Sequence, residues 1–221
     1  MKPAVKAGLV ALAAAIVLII VAVIVVLINQ RNGSPPGSED GGSRAQVLRE
    51  NSRVLDDGGD GSVTVVEFLD FECEACGAFY PVVEDLRERY DGEITYVIRY
   101  FPLPGHLNSR NAAFAAEAAA QQGRLEEMYR KLFETQAEWG EAPESRASLF
   151  RGFAEEMGLD MAAYDSAISD PATVARVDLD YNDGRALGVS GTPTFFVNGD
   201  AITLERYDDL ETAIVSAGER T

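Results

Sequence analysis

The stretch Glu67-Phe68-Leu69-Asp70-Phe71-Glu72-Cys73-Glu74-Ala75-Cys76-Gly77 holds the only two cysteines of the chain, two residues apart. An apolar run over residues 63–71 leads into it, and a helix-like pattern over residues 77–90 leads out. The dithiol therefore falls where a buried strand hands over to a helix N-terminus. Free backbone N–H groups and the positive end of the helix dipole favour an anion there. A free cysteine ionises near pH ~8.5, and such a setting lowers that by one to several units. The thiolate is the attacking form in disulfide exchange, so position becomes reactivity.

Two other uses of such a pair fit less well. A structural zinc site takes four ligands, usually from two Cys-x-x-Cys pairs or one pair and two histidines. This chain has no third cysteine and a single histidine, His106, so no metal is expected. A purely structural disulfide closing so short a loop removes little chain entropy. Redox chemistry is the better reading, with no cofactor expected beyond the pair itself.

Composition bounds the rest. A length of 221 residues allows one ordinary domain or one with an insertion, and an apolar fraction of 47% supports a sizeable core. The net charge of −17 repels phosphate backbones, so nucleic acid is not an expected partner. Residues 7–28 carry no charge or strong polar group and span roughly 33 Å as a helix, enough to cross a bilayer. The run ends in Asn29-Gln30-Arg31-Asn32 without an Ala-x-Ala site, which favours an uncleaved anchor over a signal peptide. Lys2 and Lys6 before it, against Glu39 and Asp40 after Arg31, favour a cytoplasmic N-terminus over residues 1–6 and an exported body. Export also suits an oxidised cysteine pair. The expected protein is thus a single-pass one of the cell membrane, its body extracytoplasmic. Residues 29–52 read as a flexible linker because of their Gly-, Ser- and Pro-rich part, leaving 53–221 for the folded body.

Along that body, residues 53–55 predict a short edge strand, and 62–71 a strand apolar on both faces, as a central strand should be. The helix after Cys76 contains Pro81, which normally bends a helix. Residues 94–101 predict a second main strand, ended by Pro102-Leu103-Pro104-Gly105. A long helical stretch follows, with helices over 109–122, 124–137, 143–157 and 160–168. Asp170-Pro171 opens a last one running to Leu187. Residues 194–197 and 201–204 flank Asn198-Gly199-Asp200, a hairpin signal, and a helix over 207–217 closes the chain.

This order, with the dithiol at the first strand–helix junction, resembles the thioredoxin superfamily. The helical stretch resembles the insertion of its DsbA-type branch, the exported thiol oxidases, some of them membrane-tethered. The resemblance covers residues 53–217 and has three further supports. Pro81 lies five residues past Cys76, where the family's active-site helix has its proline. Gly191-Thr192-Pro193-Thr194-Phe195 matches the loop whose cis-proline faces the disulfide. Glu67, six residues before Cys73, matches the buried acid that assists proton transfer from the second cysteine.

The resemblance implies an α/β thioredoxin-like fold with an inserted helical domain over about 107–187, preceded by one transmembrane helix. It implies a Cys73–Cys76 redox disulfide in which Cys73 forms the mixed disulfide and Cys76 resolves it. Glu67, Thr192 and Pro193 would serve the same site. Reduced or unfolded exported proteins are the implied substrates, and a quinone-linked membrane thiol oxidase of the VKOR or DsbB kind the reoxidising partner. Glu74 and Ala75 depart from the pattern, since the strongest oxidants of the branch carry a histidine directly before the second cysteine. An alanine there, beside a glutamate, predicts a less stabilised thiolate and a less oxidising disulfide. A reductase or isomerase of the same fold is therefore the alternative, and a chaperone-like binding protein is the alternative from another class. His106 reads as a loop or helix-cap residue. Asp70, Glu72 and Glu74 read as a solvated edge or as an acidic rim for a partner.

Overall fold

The computed structural model describes residues 46–60 and 62–219. The expected N-terminal segment 1–6, the membrane span 7–28 and residues 29–45 of the expected linker lie outside these. Among the described residues no helix is long and apolar enough to cross a membrane.

The strands in chain order are β1 (Arg53–Asp56), β2 (Val63–Leu69), β3 (Ile94–Tyr100), β4 (Thr194–Val197) and β5 (Asp200–Ala201), arranged β1-β3-β2-β4-β5 in one sheet. The central strand β2 runs parallel to β3 and antiparallel to β4. Helix α1 (Glu74–Arg89) makes the parallel crossover between β2 and β3, as parallel neighbours require. Between β3 and β4 come α2 (Ser109–Ala120), α3 (Leu125–Glu134), α4 (Gln136–Trp139), α5 (Ala147–Glu156), α6 (Met161–Ser169) and α7 (Pro171–Ala186). Helix α8 (Asp209–Gly218) follows the hairpin. In that hairpin Asn198 and Gly199 both take positive φ, 49° and 90°, as the tight turn joining twisted strands needs.

Alternation along β2 sorts its side chains between two cores. Val65 and Leu69 join a large cluster with Val83 and Leu86 of α1 and Ile214 of α8. Val66 and Phe68 join a smaller one with Val97, Phe101 and Phe196. Glu67 shares the face of Val65 and Leu69 by the period of two. Six alanines of α2, residues 112, 113, 115, 116, 118 and 119, are buried. Small side chains over most of its surface, with buried Glu117 on the remaining side, let this helix sit inside the helical insertion.

The structure corrects three boundaries. Residues 46–52, expected to be linker, are fastened to the body. Fully buried Arg99 donates to the carbonyls of Gln46 (3.0 Å) and Val47 (2.7 Å), Arg176 donates to the Asn51 carbonyl (3.1 Å), and Arg49 pairs with Asp183 (2.8 Å). Their polar composition reads as linker, and only the distant partners reveal the attachment. The helix expected over 124–137 breaks at Thr135, whose hydroxyl bonds back to the Lys131 carbonyl at 2.7 Å, a local bond that competes with helix continuation. The helix expected from residue 143 starts at Ala147, because Asn108 takes up the backbone before it: its Oδ1 accepts from Arg146 N–H (2.6 Å) and its Nδ2 donates to the Glu144 carbonyl (3.1 Å).

On the smaller core, α7 approaches the sheet through Gly184. A Cβ added there would lie 2.7 Å from Phe101 and 2.9 Å from Phe68, inside any allowed contact. Gly184→Ala is expected to destabilise the protein by about 1–3 kcal/mol, although alanine is the better helix former. Urea unfolding of the two proteins measures it. Equal or higher stability of the alanine variant would show that the helix shifts freely over the sheet.

Candidate active site

Strand β2 ends at Leu69, and Asp70 to Cys73 turn the chain into α1. Cys73 occupies the helix N-cap with extended φ and ψ, and its carbonyl accepts from Gly77 N–H at 3.0 Å. Both cysteines are free thiols. Cys73 is 7% exposed and Cys76 1%, so only the first sulfur meets solvent. Across from it, the Cys73 thiol faces the Thr192 carbonyl at 3.3 Å, and the Thr192–Pro193 peptide is cis. Cys73, Cys76, Glu67 and Thr192 are thus brought together from β2, α1 and the loop before β4, with Pro193 adjoining. Glu74 and Ala75 lie exposed on the first turn of α1.

Position separates the proton affinities of the three acidic groups. The Cys73 thiol is lowered to about 6, first by its hydrogen bond with Cys76 and against the opposing push of burial; Thr192 and the backbone N–H groups of Cys76 and Ala75 add to the lowering. Cys76 is raised well above the ordinary thiol range, by burial first and then by Cys73 and Glu67. Glu67, 2% exposed, is raised to about 7 by burial; the hydrogen bond from the Tyr96 hydroxyl, 2.6 Å to Oε2, opposes the rise. One sulfur is held as the nucleophile, the other keeps its proton, and a carboxyl that titrates near neutrality lies within electrostatic reach of both.

Asp70 and Glu72 are neither rim nor solvated edge, which corrects the reading of them as surface charges. They are 2% and 1% exposed. Asp70 Oδ1 accepts from Glu72 N–H (2.9 Å), while Oδ2 accepts from Leu103 N–H (2.9 Å) and meets His106 Nδ1 at 2.6 Å. Glu72 accepts from Asn108 N–H (2.6 Å) at the start of α2 and from Glu141 N–H (3.1 Å). His106, read as a loop or helix-cap residue, lies in the loop between β3 and α2, where its Nδ1 is held against Asp70. Burial would lower its pKa, but Asp70 raises it above the ordinary value.

Gln136 was not among the candidates. Its Nε2 donates to the carbonyls of Phe71 (2.7 Å) and Cys73 (2.9 Å). Its side chain fills the place a Cβ on Gly77 would need, 2.1 Å away. Nothing in the sequence marks a glutamine some sixty residues away as a partner of this loop. Glu74, expected to burden the thiolate, is fully exposed; its own N–H and then Glu141 hold its pKa below the ordinary value.

Two measurements follow from these environments. Thiolate absorbance of the reduced protein should titrate near pH 6 for Cys73, and Cys76→Ala should move that midpoint upward by removing its main hydrogen-bond partner. A midpoint left unchanged would assign the thiolate to Thr192 and the backbone N–H groups of the helix N-terminus. For Glu67, the folded state holds a proton that the unfolded chain, with an ordinary value of 4.5, has released. Stability is therefore fully present below pH 4.5 and is lost as pH rises to about 7, by about 3 kcal/mol. The opposite slope from Cys73, whose lowered value adds stability from about pH 6 upward, is common to the parent and Glu67→Gln. The difference between their urea curves should thus isolate the Glu67 loss. Parallel profiles would mean that Glu67 is ionised throughout.

Comparison with known proteins agrees with this geometry. The chain is 29% identical to a thioredoxin-like oxidoreductase from Silicibacter pomeroyi, with a TM-score of 0.65 over 77% of this chain and 94% of that one. It shares its fold with BdbD from Bacillus subtilis (22% identity, TM-score 0.68, covering 80% and 97%) and with alpha-DsbA1 from Wolbachia pipientis (19%, 0.69, covering 79% and 94%). Among curated proteins it is 41% identical over 138 residues to Na(+)/H(+) antiporter NhaA 3 of Salinispora tropica, a match covering 62% of this chain and 20% of that protein. It is 36% identical over 145 residues to Na(+)/H(+) antiporter NhaA 1 of a Mycobacterium species, covering 63% and 22%. The chain thus spans about a fifth of the length of the curated relatives it matches. A thioredoxin family model matches residues 59–216, from just before the central strand into the last helix, and the chain belongs to that family.

Proposed function

We propose that the protein is a membrane-tethered, extracytoplasmic thiol–disulfide oxidoreductase that passes its Cys73–Cys76 disulfide to exported proteins. The observation that carries this reading is the division of labour between the two sulfurs: an N-capping Cys73 with a lowered pKa beneath the Thr192 carbonyl, and a protonated Cys76 behind it. In the exchange, a substrate thiolate attacks Cys73 Sγ and the Cys73–Cys76 bond breaks. Cys76 leaves with the electron pair and takes a proton from the Glu67 carboxyl. A second substrate thiolate then attacks the substrate sulfur of the mixed disulfide, and Cys73 departs as thiolate. The substrate dithiol is oxidised and the protein's disulfide reduced. The Thr192 carbonyl and its neighbouring backbone offer an edge on which an extended substrate can pair, in the manner of strand addition.

The tether belongs to residues 7–28, whose apolar length suits a single crossing. A quinone-linked membrane thiol oxidase would restore the disulfide. Antiport, the activity in the names of the curated relatives, forms no part of the proposal, because the chain spans about a fifth of them. A second reading, reduction or isomerisation by the same exchange run from the dithiol form, is favoured by Ala75. The methyl side chain there gives the Cys73 sulfur no hydrogen bond or charge, and only the backbone N–H of Ala75 contributes to lowering that thiol.

The full chain, oxidised and held in detergent, should introduce disulfides into a reduced, unfolded test protein. Cys73→Ser should abolish this, and Cys76→Ser, given a disulfide-bonded test protein whose disulfide its Cys73 thiolate attacks, should accumulate a Cys73 mixed disulfide on non-reducing gels. Activity retained by Cys73→Ser would end the proposal. Equilibration with glutathione decides between the readings. Ala75→His should shift the potential toward the oxidising side, about 30 mV for each 1.4 kcal/mol of added thiolate stabilisation. A parent potential already at the strongly oxidising end would remove the reductase reading.

A further inference from the structure

Glu67 is buried on every side, and what surrounds it decides when it can exchange a proton. Cys73 and Cys76 face it from the redox loop and α1, Glu84 and Arg87 from α1, Tyr96 from β3, and Tyr129 from α3. Of these, the Tyr96 hydroxyl donates a hydrogen bond to the carboxyl, 2.6 Å to Oε2. The register explains the contact. β2 and β3 run parallel with Val65 opposite Tyr96 and Glu67 opposite Ile98, so Tyr96 and Glu67 are diagonal neighbours on one face. A phenol is long enough to close that diagonal.

The ring has little freedom to turn away. Tyr96 is 1% exposed, and the Arg87 guanidinium lies over it, 5.8 Å from the ring centroid. Arg87 is itself anchored by Asp56, Glu84 and Glu126. Burial first, and then Glu67, raises the Tyr96 pKa well above the ordinary phenol range, so the hydroxyl remains a donor at every pH at which thiols exchange.

We propose that Tyr96 is a positioning residue of the exchange reaction: its hydroxyl holds the Glu67 carboxylate toward the cysteine pair and sets the pH at which that carboxylate accepts the Cys76 proton. The inference rests on the oxidoreductase reading and concerns its proton step. When the reduced protein meets oxidised glutathione, the Cys73 thiolate attacks one sulfur and glutathione thiolate leaves. Cys76 then gives its proton to Glu67, its sulfur attacks Cys73, and the second glutathione leaves with the electron pair. A hydrogen bond to the ionised form favours that form. Without the phenol, Glu67 would stay protonated to a higher pH and be a poorer acceptor at neutrality.

The test is the decay of the Cys73–glutathione adduct against pH, followed by acid quench and mass spectrometry on the full chain in detergent. The parent should show an inflection near pH 7, and Glu67→Gln should lose it. Tyr96→Phe, which keeps the ring, should move it upward by about one to two pH units, the size expected for a hydrogen bond to a charged group. Adduct decay at neutral pH should slow about tenfold or more. Site-specific 3-fluorotyrosine at position 96, a more acidic donor, should move the inflection downward. Tyr129→Phe removes a buried hydroxyl that has no hydrogen bond among the described residues and should leave the profile in place. Carboxyl ¹³C titration of Glu67 reads the same shift without turnover, and so holds even if the exchange reading fails. Profiles and titrations that superimpose for the parent and Tyr96→Phe overturn the proposal. A parent that forms no adduct overturns the exchange reading instead.

Discussion

Everything near the redox pair hangs on two carboxylates that the fold has taken out of water. Asp70 and Glu72 each place a carboxyl group in a site 2% or less exposed. Such burial is tolerated only where the lone pairs are filled. They are filled by backbone N–H groups from other segments: Leu103 after β3, Asn108 at the start of α2, and Glu141 after α4. The Glu72 carboxylate therefore also sits at a helix N-terminus, where the free N–H groups and the dipole favour it. The helical insertion is thus not merely appended to the sheet. The start of its first helix and the loop beyond α4 are both bonded to Glu72, in the turn that aims Cys73.

This arrangement clarifies how two adjacent thiols acquire opposite tendencies. The N-cap position exposes the Cys73 sulfur to the hydrogen bond from Cys76 and to the amides of Ala75 and Cys76. One turn on, Cys76 points into apolar core beside a carboxyl and keeps its proton. Neither cysteine differs chemically from the other. The same burial that raises Cys76 raises Glu67, so the acid and the thiol move in the same direction, and in the proposed exchange the proton would pass between them.

The opposite face of the sheet shows the same economy with charge. Arg99 is fully buried and bonded to Asp180 and Asp183 of α7, with Gln46 and Val47 closing its remaining donors. A buried ion pair adds little net stability over apolar packing, but removing one partner is costly. Its effect is to define where α7 and residues 46–52 lie against the sheet.

The sequence by itself determined the class of the fold and the place of the dithiol within it. A strand apolar on both faces, a dithiol at its end, the Asn198-Gly199 turn and the Asp170-Pro171 cap are local signals, and each appears in the structure. Glu67 was legible because its apolar neighbours force a carboxyl on that strand into the core. Tertiary structure decided the rest. The period of two that buried Glu67 gave no hint that Asp70 and Glu72, three and five residues later, would be buried too, because their partners lie about thirty to seventy residues away. Gln136, His106 and Tyr96 carry no local mark at all. Gln136 meets the loop only when the helical insertion closes on the sheet, His106 meets Asp70 from the segment after β3, and Tyr96 reaches Glu67 through the register of β3 against β2; pairings of that kind are properties of the fold rather than of any stretch of chain.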